Sequence, residues 1–297
     1  VKKTVIIVFC ILLATSILTG CANFEFGETD NFIVEAKESM ELINDGAILV
    51  AVCEKEEYDT VHIDGAINIP MSSLVVNEPY KNMAPDKKQI KEVMSAAGVS
   101  ENDTLLVYDN NSNMSAARVQ WTLNLYDNFN VKVVSGGLEA LKKAGMETTS
   151  EATVLDPAEY NTGDKQKKLV VSLSYVNLLI DKPEENVVII DTRSAEEYRQ
   201  GTIPGAKHIE YVWNNYANGE YKSVRDLQIT YLEKGITSDM KIILFCKTSV
   251  RAAQTYAALK NAGYEDVRIY DAAWLEYESE MNPQSPVEEV PLVQDAS

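Results

Sequence analysis

The chain repeats itself, and the repeat limits its possible folds more than any composition does. ILVAVCEKEEYDTVHIDGAINIP (Ile48–Pro70) lies without a gap against VIIDTRSAEEYRQGTIPGAKHIE (Val188–Glu210) at a constant shift of 140 residues. Glu57 meets Glu197, Tyr58 meets Tyr198, Ile63 meets Ile203, Gly65 meets Gly205 and Ala66 meets Ala206. Further on, TLLVYD (Thr104–Asp109) lies against KIILFC (Lys241–Cys246) at a shift of 137. NVKVVSGGLEAL (Asn130–Leu141) lies against DVRIYDAAWLEY (Asp266–Tyr277) at 136. Three blocks in the same order make the 297 residues a tandem duplication, each copy long enough to bury a core of its own.

Within each copy the pattern is α/β. The runs Ile48–Val52, Thr104–Tyr108, Val187–Asp191 and Lys241–Phe245 are apolar almost throughout, as parallel strands covered on both faces are. Helical patterns separate them: one runs from Asp86, a candidate N-cap, to Ala97 before Gly98, and one from Ser249 to Asn261 before Gly263. Strands alternating with helices imply two tandem domains, each a mostly parallel sheet flanked by helices. The expected division is 21–145 for the first domain, 146–170 for a polar, unpatterned linker, 171–281 for the second domain, and 282–297 for a loose tail rich in proline and acid.

Residues 1–20 read differently. Lys2 and Lys3 precede an apolar run from Val5 to Leu18 that is shorter than the roughly 20 residues of a spanning helix, so a secretion signal fits better than a permanent anchor. The ending Leu18-Thr19-Gly20-Cys21 resembles the bacterial lipobox, which implies cleavage before Cys21 and a lipid on its thiol. The expected location is extracytoplasmic, tethered to a bacterial membrane through Cys21. Of the four cysteines only Cys53 and Cys246 are then unassigned, and in an exported chain they form either one long-range disulfide or two separately meaningful thiols. A formal charge of −18 with no Lys/Arg block argues against nucleic-acid binding. The two histidines, His62 and His208, have no metal-type spacing to a cysteine, so neither a metal nor a cofactor is expected.

The second copy resembles the rhodanese (thiosulfate sulfurtransferase) superfamily in its tandem form. IIDTRSAEEY (Ile189–Tyr198) looks like the family's Asp-x-Arg strand end, and GTIPGAKHI (Gly201–Ile209) like its Gly-His-Ile-Pro-Gly-Ala block with Thr202 in place of His. LFCKTSVRAA (Leu244–Ala253) takes the active-loop position, and YDAAWLEY (Tyr270–Tyr277) looks like the closing Tyr-Asp-Gly-Ser-Trp motif. The resemblance implies a persulfide carried on Cys246, an active loop of Lys247, Thr248, Ser249, Val250 and Arg251, and supporting roles for Asp191 and Arg193. It also implies a silent first domain: Ala51 and Cys53 replace the Asp-x-Arg pair there, and Asp109 stands where Cys246 does, in a loop about one residue longer.

The chemistry suits these residue types. Backbone N–H groups at a turn leading into a helix converge as an anion nest, and the helix start with Lys247 and Arg251 favours thiolate over thiol. Four residues separate Cys246 from Arg251, a loop that fits a compact sulfur, whereas phosphatases of similar fold use five. Arg251 either contacts substrate or pairs with a carboxylate of the body, Lys247 either holds an anionic donor or is simply solvated, and Cys53 reads as packing. The expected partners are a small sulfur donor, thiosulfate before 3-mercaptopyruvate, and a thiophilic acceptor. The alternative is a lipoprotein of the same fold that carries or senses sulfur, or binds a partner, without turnover.

Overall fold

The computed structural model describes residues 25–281. Cys21, segment 1–20 and tail 282–297 lie outside the described residues. In the first copy the elements run β1 (Ile33–Val34), α1 (Ala36–Asn44), β2 (Ile48–Ala51), α2 (Lys55–Tyr58), β3 (His62–Ile63), β4 (Ile67–Asn68), α3 (Lys87–Ala96), β5 (Leu105–Tyr108), α4 (Met114–Asn124), β6 (Val131–Val134) and α5 (Gly137–Lys143). After the short strand β7 (Thr148–Thr149) the second copy runs β8 (Val170–Val171), α6 (Leu173–Asp181), β9 (Val187–Asp191), α7 (Ala195–Gln200), β10 (Lys207–His208), α8 (Val224–Leu232), β11 (Lys241–Phe245), α9 (Val250–Asn261), β12 (Val267–Tyr270) and α10 (Ala273–Met281).

Each copy folds a five-stranded sheet, in the orders β1-β6-β5-β2-β4 and β10-β9-β11-β12-β8, and every pairing within the two is parallel. Because helices cover both faces, Leu106, Val107, Ile242, Ile243, Leu244 and Phe245 are fully buried whichever way their side chains point. The N-cap expected at Asp86 is present, its carboxylate accepting from Gln89 N. Helix α9 ends before Gly263, whose φ of +84° is a conformation glycine adopts freely.

Helices α4 and α9 hold equivalent places and pack against each other, joining the domains. Each is buried nearly all round, since one side faces its own sheet and the other the partner helix. Alanines at 116, 117, 252, 253, 257 and 258 are fully buried on these two helices, and small side chains let helices approach closely. The connecting segment lies back over the first domain: Thr148–Thr149 pairs antiparallel with β3, and buried Tyr160 accepts a hydrogen bond from Asn128.

Candidate active site

Strand β11 carries Cys246 to the carboxyl end of the second sheet, where Phe245 pairs with Asp191 of β9. The thiol is 1% exposed and free, as is the half-buried Cys53, so the two form no disulfide. Ser249 takes a left-handed conformation, φ 64°, which turns the chain into α9. Its hydroxyl makes no cap bond and instead donates to Tyr270 O at 2.9 Å and Asp271 O at 2.7 Å, pinning the loop to the end of β12. Trp274 N donates to Cys246 O at 3.0 Å, closing the loop from the other side. The N–H groups of Thr248, Val250, Arg251 and Ala252 have no acceptor among the described residues, so the loop presents donors together with the start of a helix.

Arg251 forms a bidentate pair with Glu197, at 2.5 and 2.8 Å. The same carboxylate closes a capping box on α7, accepting from Ser194 N while Ser194 Oγ accepts from Glu197 N. Hydrogen bonds from Arg251 outweigh partial burial and hold the Glu197 carboxyl down at about 2. Burial works against the Arg251 charge, yet Glu197 and the Cys246 sulfur beside it raise the guanidinium above its ordinary value. Arg251 therefore lies against the thiol with most of its charge already compensated. Lys247 is exposed at the loop surface, while Thr248 and Val250 are partly buried.

Asp191 and Arg193 are both buried and pair directly, Arg193 Nη2 to Asp191 Oδ2 at 2.7 Å. Thr202, where the resemblance has His, donates to the same Asp191 Oδ2 at 2.9 Å. The Arg193 guanidinium stacks over Trp274 at 4.2 Å, and the Trp274 backbone holds the Cys246 carbonyl. These residues reach the thiol through its neighbours: Trp274, and Phe245, whose ring lies 5.7 Å from the Arg193 guanidinium. The histidines stack on equivalent tyrosines, His62 on Tyr58 and His208 on Tyr198. Among the described residues, no three His, Cys, Asp or Glu side chains gather as a metal set.

The first copy builds the same turn and fills it with itself. Asp109 follows β5 as Cys246 follows β11, and Asn113 takes the left-handed position at φ 65°, one residue later than Ser249 does. Asp109 Oδ1 accepts from Asn111 N and Asn113 N, both at 2.9 Å, and Oδ2 accepts from Ala116 N at 2.8 Å. Burial pushes this carboxyl up, and the amides of Ala116, Asn111, Asn113 and Ser115 pull it back. Cys53, in the place of Arg193, lines a crevice of about 10 Å³ with Tyr108 and Asp109, space for one water at most. Burial, aided by Glu57, Glu54 and Asp109, pushes the Cys53 thiol up to about 12, which makes it a poor nucleophile.

Each domain also closes over the other's loop. Asn82 of the first domain donates from Nδ2 to Thr248 Oγ1 at 3.2 Å. The Asn82 carbonyl accepts from Arg118 Nη2 at 2.6 Å, and the same Nη2 lies 2.8 Å from Asp271 Oδ1, an ion pair sealed between the domains. Asp271 Oδ2 accepts from Ala84 N at 2.8 Å. The arrangement is mirrored on the other side, where Asn113 Nδ2 donates to Gly219 O and Tyr221 N donates to Ser135 Oγ, both at 2.9 Å. The segments that reach across are equivalent turns, closed by the bridges Val76–Met83 and Asn215–Tyr221. Sequence reasoning did not find Asn82 or Arg118, for which no local pattern exists. The capping box was readable in Ser194-x-x-Glu197, its ion pair with Arg251 was not.

A family profile described as Rhodanese-like domain matches residues 35–144 and again 172–280. The chain is 28% identical over 235 residues to the 3-mercaptopyruvate sulfurtransferase of Escherichia coli K12, covering 75% of this chain and 82% of that protein. It is 27% identical over 240 residues to a Haloferax volcanii protein that carries a provisional name, thiosulfate sulfurtransferase, with the same two coverages of 75% and 82%. Among solved structures, the E. coli 3-mercaptopyruvate sulfotransferase SseA superposes with a TM-score of 0.72 at 26% identity, over 82% of this chain and 99% of its own.

Proposed function

The chain belongs to the rhodanese-like family in both of its halves, and from that premise we propose that it is a sulfurtransferase whose second domain moves sulfane sulfur through a persulfide on Cys246. The observation that carries this reading is the contrast between the two loops: one nest is filled by the Asp109 carboxyl group, while the other offers its N–H groups around a thiol. The relatives named for thiosulfate and 3-mercaptopyruvate support sulfur transfer as the class of reaction.

With thiosulfate, the Cys246 thiolate attacks the outer sulfur. The new S–S bond forms as the old one breaks, and sulfite leaves with the electron pair. The terminal persulfide sulfur sits among the loop N–H groups and the helix start, which stabilise its negative charge. A thiophilic acceptor then attacks that sulfur and Cys246 departs as thiolate, so that one transfer becomes two easier displacements. Arg251, compensated by Glu197, orders the loop and lies beside the sulfur. A cation next to the thiol in sequence, Lys247, supports a small anionic donor, thiosulfate first with 3-mercaptopyruvate as the second.

The lipobox reading places the protein outside a bacterial cytoplasmic membrane, tethered by lipid on Cys21. Cyanide-dependent thiocyanate formation, measured with each donor in turn, tests the assignment. Turnover with thiosulfate that disappears in Cys246→Ser is the expected result; turnover that survives in that variant overturns it. A mass increase of one sulfur that is never discharged to any acceptor identifies a carrier instead.

A further inference from the structure

The start of the described chain does not lie on the domain it belongs to. Ahead of β1 of the first sheet and into its first residue, residues 25–33 are strapped to the second domain. Ser238 Oγ donates to Glu25 O at 2.6 Å, Gly27 N donates to Gly263 O at 2.8 Å, and Asp30 N donates to Asn261 O at 3.1 Å. Phe32 N and Ile33 N both donate to Asn261 Oδ1, and Phe26 packs edge-on against Tyr264 with ring centroids 5.3 Å apart. The fit is tight: a Cβ on Gly27 would come within 2.6 Å of Glu265, and one on Gly263 within 2.9 Å of Gly27 O.

All of these seats lie where strands begin or at the far end of α9. Ser238 precedes β11, Gly263 to Glu265 precede β12, and Asn261 is the last residue of α9. The active loop is at the opposite end of the same elements, since Cys246 follows β11 and Ser249 opens α9. The 12 residues of α9 separate the two ends by about 18 Å, at 1.5 Å per residue. Cys21 precedes Glu25 by four residues, which span at most roughly 14 Å. A lipid on Cys21 therefore reaches the strand-start end and not the loop.

Between the domains this end opens a cleft of about 770 Å³, lined among others by Phe32, Phe129, Lys132, Lys260, Tyr264 and Glu265. Phe129 is 42% exposed, and the ammonium of Lys260 lies 5.6 Å from the Phe32 ring. Glu28 and Glu265 keep the cleft mixed in charge and Tyr264 is buried beneath it, so what it offers a bilayer is the exposed Phe129 ring, part of Phe32 and long lysine stems.

We propose that the strand-start face, centred on this cleft, rests against the phospholipid surface, and that the Cys246 loop opens away from it into water. The inference rests on the lipid-anchor reading of Cys21. It also narrows the acceptor: sulfur leaves Cys246 to a water-soluble thiophile, a small nucleophile or an exposed thiol, and not to a carrier dissolved in the bilayer.

Intact mass and hydrogen exchange on the processed chain in phosphatidylglycerol–phosphatidylethanolamine vesicles, beside a chain that starts at residue 22, test the two readings separately. The expected result is a lipid-sized mass on Cys21, severalfold slower exchange in 26–32, 129–132 and 260–265, and unchanged exchange and thiocyanate formation at the 246–251 loop. A mass without lipid overturns the anchor and the orientation with it. Lipid on Cys21 with protection at 246–251, with no protection at the strand-start segments, or with transfer lost on vesicle attachment, overturns the orientation alone.

Discussion

The two domains share a strand, a turn and a helix, and differ in what occupies the turn. In the first, Asp109 turns back on three backbone N–H groups of its own loop, leaving a crevice of about 10 Å³. In the second, Cys246 holds the same place, and Arg251, Glu197, Arg193 and Trp274 fix the surroundings without filling it. An anion nest with an internal carboxylate is a structural cap, whereas the same nest beside a thiol keeps its N–H donors unfilled. The two copies of a duplicated fold thus differ most at one side chain, while segments of each close over the loop of the other.

The largest effect separates the two loops outright. Cys246→Ser should lower transfer by on the order of 10⁴-fold, as removal of a nucleophile does, while Asp109→Ser leaves the rate near that of the parent; donor-resolved thiocyanate assays on both variants check this. Next comes the buried link between the copies. Arg118→Ala leaves Asp271 uncompensated between the domains and should cost about 3–5 kcal/mol in urea unfolding. Asp109→Asn brings an NH₂ group against backbone donors and should cost about 1–3 kcal/mol of stability, with kcat unchanged, which tests whether the first loop is purely structural.

Smaller effects probe what supports the second loop. Asn82→Gly, which keeps a residue that adopts the φ of 62° freely, removes the side-chain hydrogen bond to Thr248, worth about 1 kcal/mol, so kcat/KM should fall roughly fivefold with little change in Tm. The smallest is a pH effect. Glu197, held at about 2 against an ordinary 4.5, contributes stability that is complete above 4.5 and fades as the pH falls toward 2. The Tm difference between the parent and Glu197→Gln should therefore be level through neutral pH and narrow only below 4.5; a difference that instead changes between pH 6 and 8 removes Glu197 as its source.

Much of the second domain was legible because its signals are local. The runs Val187–Asp191 and Lys241–Phe245 are strands over those same residues, and Ser249–Asn261 gave the helix Val250–Asn261 with only its first residue serving as the cap. Two-residue strands such as β4 and β10 were not legible, since a period of two cannot be recognised in two residues. Of the candidate site, the position of Cys246 and its covalent neighbours at a strand–helix junction was legible. Arg251 stayed open between contact and pairing, because its partner Glu197 lies 54 positions away.

What the sequence by itself determined is the duplication, the parallel α/β architecture of each copy, and the presence of a thiol at one strand–helix junction and a carboxylate at the other. All of these depend on residue type at fixed short spacing, where backbone geometry leaves few choices. Only the tertiary structure decided that Arg251 spends its charge on Glu197, that Asn82 reaches Thr248 across 166 positions, and that the strap meets the second domain at the end opposite its loop. Charge compensation and interdomain closure act over a few ångströms of space, and the distance along the chain between the groups that meet there carries no trace of it.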